Sequence, residues 1–319
     1  MAAARGDSSG KAARGRYLAT AICECFECHS PLEPGDREIP IAAKLGAGDI
    51  LDEKERQVAP NLTPDLETGA GRLTDAQMVR AIREGIGHDG RRLSQAMPYP
   101  YFSVLTDEDA AAIVAYLRSL RPVRNPLPKW IPKDADEAPS EPLKPPAKAD
   151  VMATPRDRGA YLVSLGRCAK CHTPRPATGS KRHRRLDMEF GGGRRFSAIP
   201  HHDELDPDPW LGRASDGANS ADAATLASPN ITADPSGIVW YDEAIFIQTM
   251  RTGRVAGIRP LSGCMPWLAF GKLTDDDLKA IFVYLRSVPP VRHRVNNTDP
   301  ATWCSRCGRR HGLGELNGL

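Results

Sequence analysis

Three thiols and one imidazole fall within residues 23–30, at Cys23, Cys25, Cys28 and His29. Three chemistries compete for that spacing: a disulfide framework, a zinc site, and a covalently attached haem. In Cys-x-x-Cys-His the two sulfurs can reach the two vinyl groups of one haem, while the imidazole beside the second sulfur lies under the iron. Zinc would need a second ligand pair at a regular distance. The rest of the chain decides, because Cys168, Cys171 and His172 repeat the pattern in CAKCH. Covalent haem at Cys25 and Cys28, and again at Cys168 and Cys171, is the reading that accounts for both copies.

The repeat is larger than the motif. RGRYLATAICE precedes the first copy and RGAYLVSLGR the second; PNLTPD at residues 60–65 is answered by PNITAD at 229–234. MPYPYFSVLTDEDAAAIVAYLRSLRPV, from Met97, is answered by MPWLAFGKLTDDDLKAIFVYLRSVPPV, from Met265. This is an internal duplication. An iron held by histidine on one face lacks a ligand on the other, and a thioether sulfur is the usual one in electron-transfer cytochromes. Met97 and Met265 are the candidates, each before a proline in a polar loop and each at the same distance from the helix that follows. Most methionines are flexible core filler, and that reading is kept for Met78, Met152, Met188 and Met250. Tyr99 and Trp267 read either as covers for a haem edge or as plain packing. Asn61 and Asn230 read as turn formers.

Helical signals surround these residues. Thr106 with Asp109, and Thr274 with Asp277, are Thr-x-x-acid starts that put a hydroxyl and a carboxylate on the free amides of a first turn. Behind them, Ile113, Val114, Leu117 and Leu120 share one face, as do Leu278, Ile281, Phe282 and Leu285. Those faces are expected to pack on the helix before each haem motif. A middle helix starts at Thr74 with Gln77 and carries Met78, Val79, Ile82 and Ile86; its partner follows Asp242 with Ile245, Phe246 and Met250. Little strand signal accompanies them, so the fold class is all-α. The aromatic content of 6% fits cores organised around porphyrin.

The 319 residues exceed one small core. The expected layout is a haem domain over 1–125, a proline-rich linker over 126–154 that runs extended along the surface, a second haem domain over 155–292, and a tail over 293–319. The second domain is longer between its motif and Asn230, and the surplus holds GSKRHRRLDMEFGGGRRF and HHDELDPDPW.

These residues resemble the dihaem and trihaem class I cytochromes c, especially the cytochrome c subunits of bacterial membrane-bound alcohol and gluconate dehydrogenases. The resemblance runs from about Arg14 to Val291 and rests on the two Cys-x-x-Cys-His motifs, PNITAD, DGRRLSQAMPY and LTDDDLKAIFVYLRS. It implies two tandem class I cytochrome c domains, two covalent haem c groups, and His/Met iron formed by His29 with Met97 and His172 with Met265. Those subunits usually carry three haem domains and a membrane anchor; here there are two motifs and no apolar stretch long enough to span a bilayer, leaving peripheral association with a membrane complex.

The function expected is outer-sphere electron transfer from a periplasmic donor, a dehydrogenase or quinol-linked complex, to a terminal acceptor such as an oxidase. No acid, base or nucleophile is required. The alternative is a dihaem redox enzyme. Cys264, beside Met265, raises thiolate ligation as in thiosulfate dehydrogenases, although it aligns with Ala96, one place from the methionine. A peroxidase would need a distal acid or base, for which His88, His201 and His202 are the nearby residues, and surface histidines are the simpler reading. Cys304 and Cys307, with His311, are one ligand short of a closed zinc site and read as a local disulfide in an oxidising compartment; Cys23 has no assigned role.

Net charge is +3, and haem propionates would bring it towards neutral, so global charge names no partner and nothing points to nucleic acid. Lys181, Arg182, Arg184 and Arg185 read first as a solvated loop and second as a docking patch for an acidic partner. Thioether attachment takes place outside the cytoplasmic membrane, so the expected location is the periplasm. Residues 1–17 have no apolar h-region and do not read as a secretory signal peptide.

Overall fold

A computed structural model describes residues 2–33, 36–52, 57–132, 138–139, 141–176, 184–197, 225–257, 259–262, 264–295, 302–304 and 309–311. The chain divides into two compact units, Met1–Ala149 and Asp150–Leu319. The first holds α1 (Ala2–Tyr17), α2 (Cys25–Cys28), α3 (Asp75–Glu84), α4 (Tyr99–Phe102) and α5 (Asp107–Ser119); the second holds α6 (Pro155–Leu165), α7 (Cys168–His172), α8 (Glu243–Thr252), α9 (Trp267–Phe270) and α10 (Asp275–Ser287). The expected helical fold is borne out. Among the described residues there are also five antiparallel two-stranded ribbons: β1 (Leu32–Glu33) with β2 (Asp36–Pro40), β3 (Asp49–Asp52) with β4 (Gln57–Ala59), β5 (Arg195–Ser197) with β6 (Thr225–Ala227), β7 (Arg254–Val255) with β8 (Arg259–Pro260), and β9 (Thr302–Cys304) with β10 (Arg309–His311). Strands of two to five residues are too short to show a period-2 pattern.

Each unit is built on one helix pair, α1 with α5 and α6 with α10. The apolar faces meet largely as expected: Ile113, Val114 and Leu117, and Leu278, Ile281, Phe282 and Leu285, are buried, while Leu120 is half-buried at the C-cap of α5. What allows close approach is glycine. A Cβ on Gly15 would lie 1.8 Å from the Ala112 carbonyl oxygen, and one on Gly159 would lie 2.0 Å from that of Ala280, so only a residue without a side chain fits either crossing. The neighbouring arginines clamp the same crossings. The Arg14 guanidinium donates two bonds of 2.8 Å to the Asp109 carboxylate, and Arg158 pairs with Asp277.

The helix starts are capped as their sequences predict. Thr106 Oγ1 and Thr274 Oγ1 accept from the amides of Asp109 and Asp277. The carboxylates of Asp109 and Asp277, expected at the first-turn amides, also face Arg14 and Arg158. The reciprocal capping box forms at Thr74 and Gln77, and Asp242 caps α8 through the amide of Ile245. The middle helix of the first unit stops sooner than its apolar pattern: Gly85 ends α3 in the left-handed conformation at φ 66°, and Ile86 lies beyond it in an isolated bridge to Arg92. Of the methionines read as core filler, Met78 is buried, while Met152, Met188 and Met250 are half-buried.

One irregularity has a visible cause. Arg14 to Cys25 is one residue longer than Arg158 to Cys168. The first unit absorbs the extra residue in a turn of π-helix, Leu18–Ile22, where the Cys23 amide reaches back to the Leu18 carbonyl. An inserted residue inside a helix is accommodated this way without displacing what lies on either side.

The segment after α5 belongs with the first unit and returns to it repeatedly. Arg91 Nη1 donates to the Trp130 carbonyl, Gln95 Nε2 to the Ala138 carbonyl, the Lys144 amide to Ser103 Oγ, and the Ala147 amide to the Val104 carbonyl. Among the described residues, no helix is long and apolar enough to cross a membrane.

Candidate functional site

Both Cys-x-x-Cys-His motifs form a single helical turn entered from strained backbone. Glu24 and Arg167, the residues before the first cysteine of each, take left-handed conformations at φ 53° and 57°, uncommon for side chains with a Cβ. The turn stacks Cys25 over Cys28 and Cys168 over Cys171, one helical turn apart. All four thiols are partly exposed, whereas Cys23 beside them is buried.

His29 and His172 are buried, at 8% exposure each. The Nδ1 of His29 lies 2.8 Å from the Pro60 carbonyl oxygen, and that of His172 lies 2.8 Å from the Pro229 carbonyl oxygen. A carbonyl can only accept, so Nδ1 carries the proton and the Nε2 lone pair is left for a metal. Burial pushes both imidazoles below the ordinary histidine range, and the carbonyl bond partly offsets it. They are therefore neutral at pH 7, the form that ligates iron. Two accessible sulfurs one turn apart, with a neutral imidazole whose orientation is already held, fit a covalently attached haem; Cys25, Cys28 and His29 would hold one, and Cys168, Cys171 and His172 another.

The proline carbonyls were not read from the sequence, although both PN dipeptides were. Each is fixed by the asparagine that follows. Asn61 Oδ1 accepts from the amide and hydroxyl of Thr63, and its Nδ2 donates to the Val123 carbonyl at 2.7 Å. Asn230 repeats this with Thr232 and the Val291 carbonyl, also at 2.7 Å. These are not simple turn formers: both are buried and tie the histidine-holding loop to the chain leaving the last helix. The backbone on the other side is held too, with Gly48 and Gly192 amides donating to the carbonyls of His29 and His172 at 2.9 and 2.7 Å.

Met97 and Met265 are half-buried in identical turns. The methionine amide donates to Ser94 or Ser262, and the methionine carbonyl accepts from Tyr99 or Trp267. Gly85 and Gly253 abut the rings of Tyr99 and Trp267, so each aromatic seats its turn on the middle helix. Cys264 and Ala96 donate their amides to Ser262 Oγ and Ser94 Oγ, both at 3.2 Å, so they occupy equivalent places. Arg184 faces Glu189 and Arg185 faces Asp187. Lys181, Arg182, His201, His202 and Cys307 lie outside the described residues, as do the side chains of Cys304 and His311. His88 is exposed.

Residues 12–121 match the Cytochrome c family model. The chain is 30% identical over 313 residues to the cytochrome c subunit of alcohol dehydrogenase (quinone) from Gluconacetobacter polyoxogenes, an alignment covering 91% of this chain and 58% of the relative. It is 31% identical to the fructose dehydrogenase cytochrome subunit of Gluconobacter japonicus, over 86% of this chain and 52% of the relative. With a diheme cytochrome c-type protein of Cereibacter sphaeroides it shares 25% identity over 89% of this chain and 88% of the relative. The chain thus spans a little over half the length of the first two. The chain contains a cytochrome c domain, which implies covalently bound haem c, and it is related along most of its length to cytochrome c subunits of dehydrogenases.

Proposed function

We propose that this chain is a dihaem c-type cytochrome, with two tandem class I domains, that passes electrons from a periplasmic dehydrogenase or quinol-linked complex to a terminal acceptor. One observation carries the reading: the second unit repeats the buried His29–Pro60 pairing as His172–Pro229 at the same 2.8 Å, in a stretch that lies beyond the residues matching the family model. The dehydrogenase donor follows from the relatives' names, and the periplasm from the chemistry of thioether attachment. Association with a membrane-bound partner would be peripheral for the described residues.

When bound, haem c supplies a one-electron iron couple. The chain's own residues do the rest. Cys25, Cys28, Cys168 and Cys171 would anchor the groups; His29 and His172 would offer Nε2, because Pro60 and Pro229 hold Nδ1; Met97 and Met265 would each supply a soft sulfur ligand. Imidazole nitrogen and thioether sulfur would suit both ferric and ferrous iron. The enzymatic alternative through Cys264 gains no support, since its backbone matches that of Ala96.

The test is haem content by pyridine haemochrome together with EPR of the oxidised protein. Two haems per chain and two low-spin His/Met signals are expected. Met97→Ala and Met265→Ala should each remove one signal and about half of the weak deep-red methionine–iron band. One haem per chain, or a thiolate-type or high-spin signal in the native protein, overturns the proposal.

A further inference from the structure

The two attachment turns differ in charge, with Glu24 and Glu27 in the first answered by Arg167 and Lys170 in the second, and a buried arginine rests on the second. Arg194 is 2% exposed, and its Nη1 donates to the Lys170 carbonyl at 2.8 Å. Lys170 lies between Cys168 and Cys171 inside α7, so the guanidinium rests on the turn that carries the second haem's sulfurs. Among the described residues of the first unit, no arginine stands at the equivalent place. Its register is set by Gly48 and Gly192, whose amides bond His29 and His172 alike. Two residues further on stand Ile50 and Arg194, and Ile50 is 39% exposed and uncharged.

A guanidinium is a fixed positive charge. Buried near a redox centre, a fixed positive charge disfavours the ferric state, which carries one more positive charge than the ferrous. Low polarity strengthens that effect relative to water, and burial and nearby charge are among the levers by which a protein sets haem potential. Any anion that faces the guanidinium leaves the sign unchanged, because deleting the arginine would leave that anion's charge beside the haem.

We propose that Arg194 raises the reduction potential of the second haem and thereby biases an electron to reside in the second unit. The inference rests on the dihaem reading above. It makes Arg194 a tuning residue, separate from the cysteines, histidines and methionines that hold the groups.

The experiment is spectroelectrochemical titration of the full-length loaded protein. A Cys168→Ala/Cys171→Ala variant, which keeps only the first haem, identifies that haem's wave. Arg194→Gln retains a donor for the Lys170 carbonyl and removes the charge; Arg194→Lys retains the charge. The expected result is at least a tenfold fall in the second haem's one-electron reduction equilibrium for Arg194→Gln, about 59 mV, with the first haem within twofold of native. Arg194→Lys should stay within threefold of native at both. A second haem unmoved by Arg194→Gln, or lowered as far by Lys as by Gln, overturns the charge assignment. If Arg194→Gln does not load its second haem, Arg194→Lys decides alone: retention of the native potential supports the assignment, and a tenfold fall overturns it. One haem per native chain overturns the dihaem reading along with the inference, whereas two haems with a flat Arg194→Gln response overturn the inference only.

Discussion

At the scale of single residues, Asn230 shows how a side chain that touches neither sulfur nor iron can govern the site. It is 1% exposed and makes bonds with Thr232, Ser236 and Val291. Removing it leaves the Thr232 amide and the Val291 carbonyl buried without these partners, each costing about 1–3 kcal/mol. Asn230→Ala is therefore expected to destabilise the second unit by about 2–4 kcal/mol in denaturant unfolding followed at the haem band. Because Asn230 follows Pro229, the same variant should also change the EPR signal of the second haem and leave the first unaltered. A variant as stable as the native protein would return Asn230 to the role of a turn former. The dipeptide Pro-Asn was legible in both repeats, but the use made of it was not: the partner carbonyl at Val291 is 61 residues away, and no local pattern announces such a bond.

Among elements, the two units fill one space in two ways. In the first, Phe26, between the attachment cysteines, meets Tyr116 of α5 edge-on at 5.8 Å, and Gly46 stands against the Phe26 ring. In the second, the residue between the cysteines is Ala169, and Tyr284 meets Phe190 at 6.2 Å instead. Gly46 and Phe190 are equivalent: Gly46 donates its amide to Ser30 Oγ and Phe190 to Thr173 Oγ1, both in left-handed backbone at φ 78° and 63°. The aromatic has moved from the helix to the loop. Phe190→Gly relieves the backbone conformation but empties the space, and a net loss of about 2–4 kcal/mol is expected. Ala169→Phe alone overpacks it, at about 1–3 kcal/mol. The double variant rebuilds the first unit's arrangement and should recover at least about 2 kcal/mol relative to the sum of the singles in a double-mutant cycle; simple additivity would show that the two positions do not share one space. Helix starts and the apolar faces of α5 and α10 were readable because hydroxyl caps and 3.6-residue spacing are local. The swap was hidden because its two halves lie 21 residues apart, and the Gly15 and Gly159 crossings because a missing side chain leaves no periodic mark, although the repeated Arg-Gly before each motif was the available signal.

For the whole molecule, duplication extends to every support a haem turn needs. Each unit owns a helix pair closed on a glycine, an arginine–aspartate clamp, a proline carbonyl for its histidine and an asparagine that secures that carbonyl. None of these bonds reaches outside its own unit, Met1–Ala149 or Asp150–Leu319. A unit that contains its own core and its own site is expected to fold by itself. Fragments 1–149 and 150–319, each exported with a signal peptide, should therefore each take up one haem by pyridine haemochrome and melt in a single cooperative transition. Among the described residues Ile50 stands where the second unit has Arg194, and the first fragment's midpoint should match the first wave of the full-length protein within twofold in equilibrium constant. A fragment that is exported but takes up no haem would show that attachment depends on the other unit, and the chain would then have to be regarded as one cooperative haem-binding body in place of two.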